Sequence, residues 1–356
     1  MKIAVFSDTR QPTKADGGHG LGMSAHSIAT GLAERGHDIT LCAGWGSEFD
    51  DGTLLVFKTE SEMANWYLNN RLVDVVLDTS HHHVLSKWQP DAPVLNRIAD
   101  MECHYRPPNA VVNSGYMLRF YPNATLVNTG IEHPKYFRNN HGGYLLFASR
   151  QEDVLGWHLV HGLAKQLDMP LSVASGLDSY AKWQLFANAA VLLHLSRNRA
   201  APRLPVEVGY CGVPTVCFSE DGAASIVQDG LTGIVTDDIA KLPSAILTAM
   251  QLDRQKIRDW YYDNHDYDEM IGEYEQLLYR ICTPKMKTPA FRDGDYPGTW
   301  GGYSVKTVID GYDVNFTVEQ GVRTIAAPCI VRILDGNITA EMVGHGSIAA
   351  KCFSSI

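Results

Sequence analysis

The 356-residue sequence has no apolar run approaching the roughly 20 residues that a membrane-spanning helix needs. Its opening residues, Met1-Lys2-Ile3-Ala4-Val5-Phe6, pass straight into Ser7-Asp8, so they read as a buried strand and not as an export signal. Seven cysteines at irregular spacing make neither a disulfide framework nor a paired metal motif, which fits a reducing, cytoplasmic setting. Basic charge is also scarce: the net charge is −10, which disfavours broad nucleic-acid binding by phosphate neutralisation. A local basic cleft is still compatible with that total, because net charge says little about one groove. What is present is an ordinary globular composition, 45% apolar and 20% charged, with length enough for two or three domains.

The chain reads as two α/β series followed by a β-rich tail. Ile3–Phe6 is a strand, Asp16-Gly17-Gly18-His19-Gly20-Leu21-Gly22 a glycine-rich loop, and a helix runs from about Ser24 to a stop at Gly36. Asp38–Cys42 is the next strand, so the first forty residues form a βαβ unit and imply a parallel sheet. Val73–Leu77, Ala110–Val112 and Ala124–Val127 continue that series. A second begins at Tyr144–Phe147, with strands at Leu171–Val173, Ala190–Leu195 and Pro214–Cys217. Its helices fall at Trp157–Leu167, Tyr180–Ala189 and Glu207–Cys211, and residues 254–282 read as one long amphipathic helix. Thr283–Gly302 is a Pro/Gly-rich linker. Asp310-Gly311 and Asp335-Gly336 each join two strand-like runs, the signature of a β-hairpin. The expected domains are 1–140, 141–282 and 283–356.

Two loops carry residues suited to chemistry. Glycines let backbone approach a ligand, and a helix start offers unpaired N–H groups, so Gly18 and Gly20 are candidates for lying beside a diphosphate or sugar; a plain strand-to-helix turn is the alternative. Ser196 to Pro214 follows a buried strand, where ligands gather at the carboxyl edge of a parallel sheet. There Glu207 can accept hydrogen bonds from a diol, while Arg197, Arg199 and Arg203 can neutralise phosphate.

Leu185 to Val235 resembles the signature region of the retaining GT-B glycosyltransferases, the large family that includes sucrose synthases and many bacterial mannosyl- and glucosyltransferases. Phe186-Ala187-Asn188-Ala189-Ala190-Val191, Glu207 through Pro214, and Asp229-Gly230-Leu231-Thr232-Gly233-Ile234-Val235 resemble its segments in order. So do Gly17-Gly18-His19-Gly20, Arg35-Gly36-His37-Asp38-Ile39-Thr40, Val127-Asn128-Thr129-Gly130-Ile131-Glu132 with Phe137, and Phe147-Ala148-Ser149-Arg150. The resemblance implies a GT-B architecture of two Rossmann-like domains facing a cleft: an acceptor domain first, then a nucleotide-sugar donor domain. It implies sugar transfer from a nucleoside-diphosphate sugar to a hydroxyl acceptor with retention of configuration. Glu207 would hold the ribose, Arg150 the diphosphate, and Gly18, Gly20 and Ser196 the donor. His81, within His81-His82-His83, would contact the sugar near the reacting carbon, the register among the three histidines being open. No metal is implied.

The sequence also departs from that family. Arg199 stands where the family has a second glutamate, Leu155 stands near the place of its phosphate-binding lysine, and Gly222-Ala223-Ala224-Ser225 replaces another motif. Arg199 or Arg203 is expected to substitute for the lysine. The acceptor is open among carbohydrate, lipid, small molecule and DNA base. A divergent, phage-encoded DNA-base glycosyltransferase is one alternative, with Arg97, Arg106, Arg119, Lys135 and Arg138 lining its cleft. A catalytically weak nucleotide-sugar-binding protein, with the tail as an interaction module, is the other.

Overall fold

The computed structural model describes residues 1–16, 20–99, 105–132, 142–148, 156–174, 177, 179–200 and 203–282, and beyond them the strands of the tail. Gly18 and Arg150, two of the expected site residues, lie outside the described residues, as do Lys135 and Arg138. The chain divides into two compact units, Met1–Thr283 and Pro284–Ile356.

The first unit contains two parallel sheets. Sheet one is built from β1 (Lys2–Phe6), β2 (Asp38–Ala43), β3 (Thr53–Val56), β4 (Val75–Asp78), β5 (Val94–Ile98), β6 (Ala110–Val112) and β7 (Thr125–Leu126). Its order is β3-β2-β1-β4-β5-β6-β7, every neighbouring pair being parallel. Helices α1 (Gly20–Glu34), α2 (Glu60–Asn70) and α3 (Val84–Trp88) connect the first five strands. Parallel strands covered on both faces are apolar throughout, as Ile3, Ala4, Val5 and Phe6 illustrate at 1% exposure or less.

Sheet two comprises β8 (Tyr144–Phe147), β9 (Leu171–Val173), β10 (Ala189–His194), β11 (Thr215–Cys217) and β12 (Gly233–Val235), in the order β12-β11-β10-β8-β9. Around it lie α4 (Trp157–Gln166), α5 (Ser179–Ala187), α6 (Leu204–Tyr210) and α7 (Leu242–Ala249). The amphipathic stretch that reads as one helix is two, α8 (Arg254–Asn264) and α9 (Tyr267–Cys282). The break has a local cause: the His265 N–H closes α8 on the Tyr261 carbonyl, and the Asp266 carboxylate accepts the Glu269 N–H at 2.8 Å, starting a new helix. After α8, the chain returns to sheet one. Tyr267, Met270, Ile271, Tyr274 and Leu278 of α9 pack into the same core as Ile3, Val5, Ile28 and Leu77.

The carboxyl edges of the two sheets meet within this unit. Tyr116, after β6, donates its hydroxyl to Asn198 Oδ1 at 2.9 Å and its backbone N–H to Ser225 Oγ at 3.2 Å. Ser114 hydrogen-bonds the Ala200 carbonyl.

In the second unit, β13 (Gly294–Trp300), β14 (Tyr303–Asp310), β15 (Asp313–Gln320), β16 (Arg323–Leu334), β17 (Asn337–Met342) and β18 (Ala350–Lys351) form an antiparallel meander in sequence order. The two expected hairpins are β14/β15, closing at Asp310 opposite Asp313, and β16/β17, closing at Leu334 opposite Asn337. Residues 294–300 correct the expected linker: despite two glycines and Pro297, they pair along β14.

Candidate active site

Both sheets reverse their strand order once, and the candidate residues follow the strands on either side of each reversal. In sheet one the order turns at β1 and β4, which pair with Phe6 opposite Asp78. The glycine-rich loop follows β1 and the histidine triplet follows β4. In sheet two it turns at β8 and β10. Arg150 follows β8 in the sequence, and the Ser196–Arg203 loop follows β10. A strand-order reversal leaves a crevice at the carboxyl ends, because successive connections leave on opposite faces.

Glu207 lies in the first turn of α6, a seven-residue helix with Pro205 near its start, where a missing N–H costs nothing. The helix ends at Gly212, whose φ of 68° places it in the left-handed region, and the Val213 N–H returns to the Val208 carbonyl at 3.1 Å. Gly209 brings α6 against α8: a Cβ there would lie 2.1 Å from the Tyr261 ring. Glu207 is thus held on a short, closed element and is 6% exposed. One oxygen, Oε1, receives both the Arg203 Nε–H at 3.1 Å and Lys182 Nζ at 3.4 Å. Lys182 sits on α5 and escaped the sequence reading, because no motif marks it; only its place on a recognised helix hinted at it. It also lies 5.3 Å above the Trp183 ring.

The arginines of the loop differ in state. Arg197 pairs with Glu220 and stacks 4.0 Å above Phe218. Arg199 is exposed and anchored through its backbone N–H to Asp221 Oδ2 at 3.2 Å. Ser196, an expected donor ligand, has its hydroxyl engaged internally: it donates to Asp221 Oδ2 at 3.0 Å and lies 3.0 Å from His194 Nε2. Asp221 is fully buried and also accepts the Ala223 N–H at 2.9 Å, so it ties Ser196 and Arg199 to the turn that follows β11. The sequence signal for it was the short turn Gly222–Ser225 that it caps, read there only as a departure.

The three histidines that follow β4 differ in burial. His83 turns inward at 1% exposure, its Nδ1 lying 3.7 Å from Asp78 Oδ1. Burial would raise the Asp78 carboxyl, but the facing His83 and the hydrogen bonds from Ser80 outweigh it and hold the group below the usual carboxylate range. His81 and His82 stay on the surface side of the loop with rings 4.8 Å apart. The loop is tied down by Glu60, the first residue of α2, a helix the sequence reading did not contain. Its buried carboxylate accepts the Ser80 hydroxyl at 3.0 Å, the His81 N–H at 3.0 Å and the His82 N–H at 3.0 Å. Beside this loop Asp8 is held below its ordinary value; burial opposes that shift, and hydrogen bonds and charge from Arg10 produce it, with a smaller contribution from His81.

Gly20 opens α1, with open space where a Cβ would stand. Two positions on, Gly22 does require glycine, since a Cβ would lie 2.9 Å from the Pro12 carbonyl. The close approach seats the helix start on the loop that follows β1. Of the basic band expected along a cleft, Arg97 is 5% exposed and faces Tyr274 of α9, so it is interior and not a surface cation. Arg106 and Arg119 stack on Tyr121 and Tyr116. Among the described residues no group of three or more His, Cys, Asp or Glu could hold a metal ion, and no helix is long and apolar enough to cross a membrane.

No family description and no curated protein matches the chain. Solved structures do. AviGT4, a glycosyltransferase involved in avilamycin A biosynthesis, superposes with a TM-score of 0.62 at 17% identity, covering 79% of this chain and 98% of that one. The sucrose-phosphate synthase of Thermosynechococcus elongatus gives 0.59 at 10% identity, over 79% and 99%. HepE of Anabaena, in its complex with UDP-glucose, gives 0.59 at 14% identity, over 79% and 100%. The fold they share with this chain is the GT-B fold of glycosyltransferases: two α/β lobes, each with a parallel sheet.

Proposed function

We propose that this chain is a glycosyltransferase that moves a sugar from a nucleoside-diphosphate sugar to a hydroxyl acceptor with retention of configuration. The observation that carries the reading is Glu207 with its two cations at the carboxyl edge of sheet two, on a fold that HepE uses to bind UDP-glucose. A buried carboxylate accepts from a ribose diol, and adjacent Lys and Arg side chains neutralise a diphosphate. Residues 1–140 would supply the acceptor lobe and 141–282 the donor lobe. Arg150, Arg199, Arg203 and Lys182 would stabilise the departing diphosphate as the sugar takes on oxocarbenium character, an electrostatic contribution that needs no protein nucleophile. The departing phosphate would take the acceptor proton on the same face, which accounts for retention. His81 would contact the sugar, with Gly18 and Gly20 beside it.

We infer a hydroxyl acceptor other than a DNA base, because burial of Arg97 thins the basic band that DNA requires. Incubation with a panel of UDP-, GDP-, ADP- and dTDP-sugars and candidate acceptors, with mass spectrometry of the products and NMR of the anomeric proton, tests the reading. Sugar transfer with an unchanged anomeric configuration supports it. Failure of every nucleoside diphosphate to bind would overturn it, and glucosylated bases in co-expressed DNA would overturn the choice of acceptor.

A further inference from the structure

We propose that Lys182 and Arg203 clamp Glu207 in the empty protein and are released from it by the donor's phosphates, so that the two halves of the donor bind cooperatively. The inference rests on the donor-site reading above. Both cations reach the same atom, Glu207 Oε1, at 3.4 and 3.1 Å. They come from separate elements, Lys182 from α5 and Arg203 from the residue before α6. All three side chains are mostly withdrawn from water, at 17% for Lys182, 18% for Arg203 and 8% for Glu207. Two positive charges on one negative leave the cluster with an excess positive charge in a poorly solvated place. That excess favours a second anion.

The same geometry places a cost on a nucleoside arriving alone. A ribose diol that grips both carboxylate oxygens needs Oε1, which both cations hold, and a partly buried cation that yields it loses its partner, which is the expensive way to break such a pair. A diphosphate supplies that partner first. With the cations turned to phosphate, Oε1 is free to accept from the diol. Coupling of this kind is reciprocal, so each half of the donor strengthens the other by the same factor. Lys182 thereby fills the role of the lysine missing near Leu155, and its perch over the Trp183 ring gives the released ammonium a second contact.

The test is calorimetric titration of the full chain with uridine, guanosine, adenosine and thymidine, each with and without saturating inorganic pyrophosphate. Pyrophosphate is expected to tighten binding of at least one nucleoside by about fivefold or more, the lower range of ordinary coupling. Lys182→Met, which keeps the chain's length and removes its charge, is expected to reduce that factor to about twofold or less. Independent or competitive binding of the two ligands, while intact nucleoside diphosphates still bind, overturns the clamp and leaves the donor site standing. Full coupling in K182M overturns it as well. If no nucleoside diphosphate binds the unaltered chain, the clamp and the donor reading fall together. Should K182M not fold, the coupling factor of the unaltered chain decides alone.

Discussion

Glu60 accepts the backbone N–H of His81 at 3.0 Å, so a carboxylate on α2 sets the position of a loop that follows β4. The same carboxylate serves His82 and the Ser80 hydroxyl. Leaving buried donors unpaired costs about 1–3 kcal/mol. Glu60→Ala is therefore expected to lower turnover by roughly 10- to 100-fold through misplacement of His81, with the Kd of a nucleoside diphosphate within about twofold of the original. Glu60→Gln, which keeps one acceptor oxygen, is expected to fall between them. A donor Kd that weakens in step with turnover would show that the carboxylate only supports the fold.

That relationship also shows where the sequence stopped being legible. The strands flanking each strand-order reversal were readable because burial on both faces makes them continuous apolar runs, as at Ile3–Phe6 and Ala189–His194. β5 hid because Asn96 and Arg97 interrupt its run; both are buried, Asn96 hydrogen-bonded to Ser86 and Pro108, Arg97 set against Tyr274. α2 hid because only Glu60, Met63, Ala64 and Tyr67 of its eleven residues are buried, too weak a stripe to stand out. With α2 missing, Glu60 had no reason to be singled out. Glu207 was visible through its motif, whereas Lys182 reaches it from 25 positions away, a pairing that only the packing of α5 beside α6 brings about.

Gly209→Ala tests the seat of Glu207. The added methyl would stand 2.1 Å from the Tyr261 ring, and Tyr261 is fully buried, so α6 must move away from α8. Overpacking of this kind typically costs about 1–3 kcal/mol. The variant is expected to melt several degrees lower and to bind nucleoside diphosphate more weakly, both measurable by thermal shift with and without UDP. An unchanged melting temperature would mean that the α6–α8 contact yields at no cost.

The pH dependence of stability follows from His265, at the break between α8 and α9. Burial holds its imidazole below the ordinary 6.5, only partly offset by the hydrogen bond from Nδ1 to the Thr129 carbonyl. A histidine depressed in the folded state contributes its full stability above 6.5, where both states are neutral, and that stability is lost as falling pH protonates the unfolded chain first. His26, lowered chiefly by burial, acts in the same direction. Asp8 and Asp78, lowered in the folded chain, add a second loss below 3.8. The melting temperature should therefore fall between about pH 7 and pH 5, and fall less in His265→Gln, where His26 alone of the two remains. Equal slopes for the two proteins would rule out His265 as the source.

The last expectation ranks the cations. The Arg203 side chain is 18% exposed and hydrogen-bonded to Glu207, while Arg199 is exposed. An interaction made by a solvent-exposed charge is worth about 0.2–1 kcal/mol, and a charge-assisted hydrogen bond in a sheltered site about 1.5–3 kcal/mol. Arg203→Ala is expected to weaken nucleoside-diphosphate binding by about tenfold or more, and Arg199→Ala by about fivefold or less, with the Arg199 effect shrinking further in high salt. Titration calorimetry at low and high ionic strength separates the two. If Arg199→Ala proved the costlier change and resisted salt, Arg199 would be a sheltered donor ligand that moves inward on binding, and the ranking by exposure would be wrong.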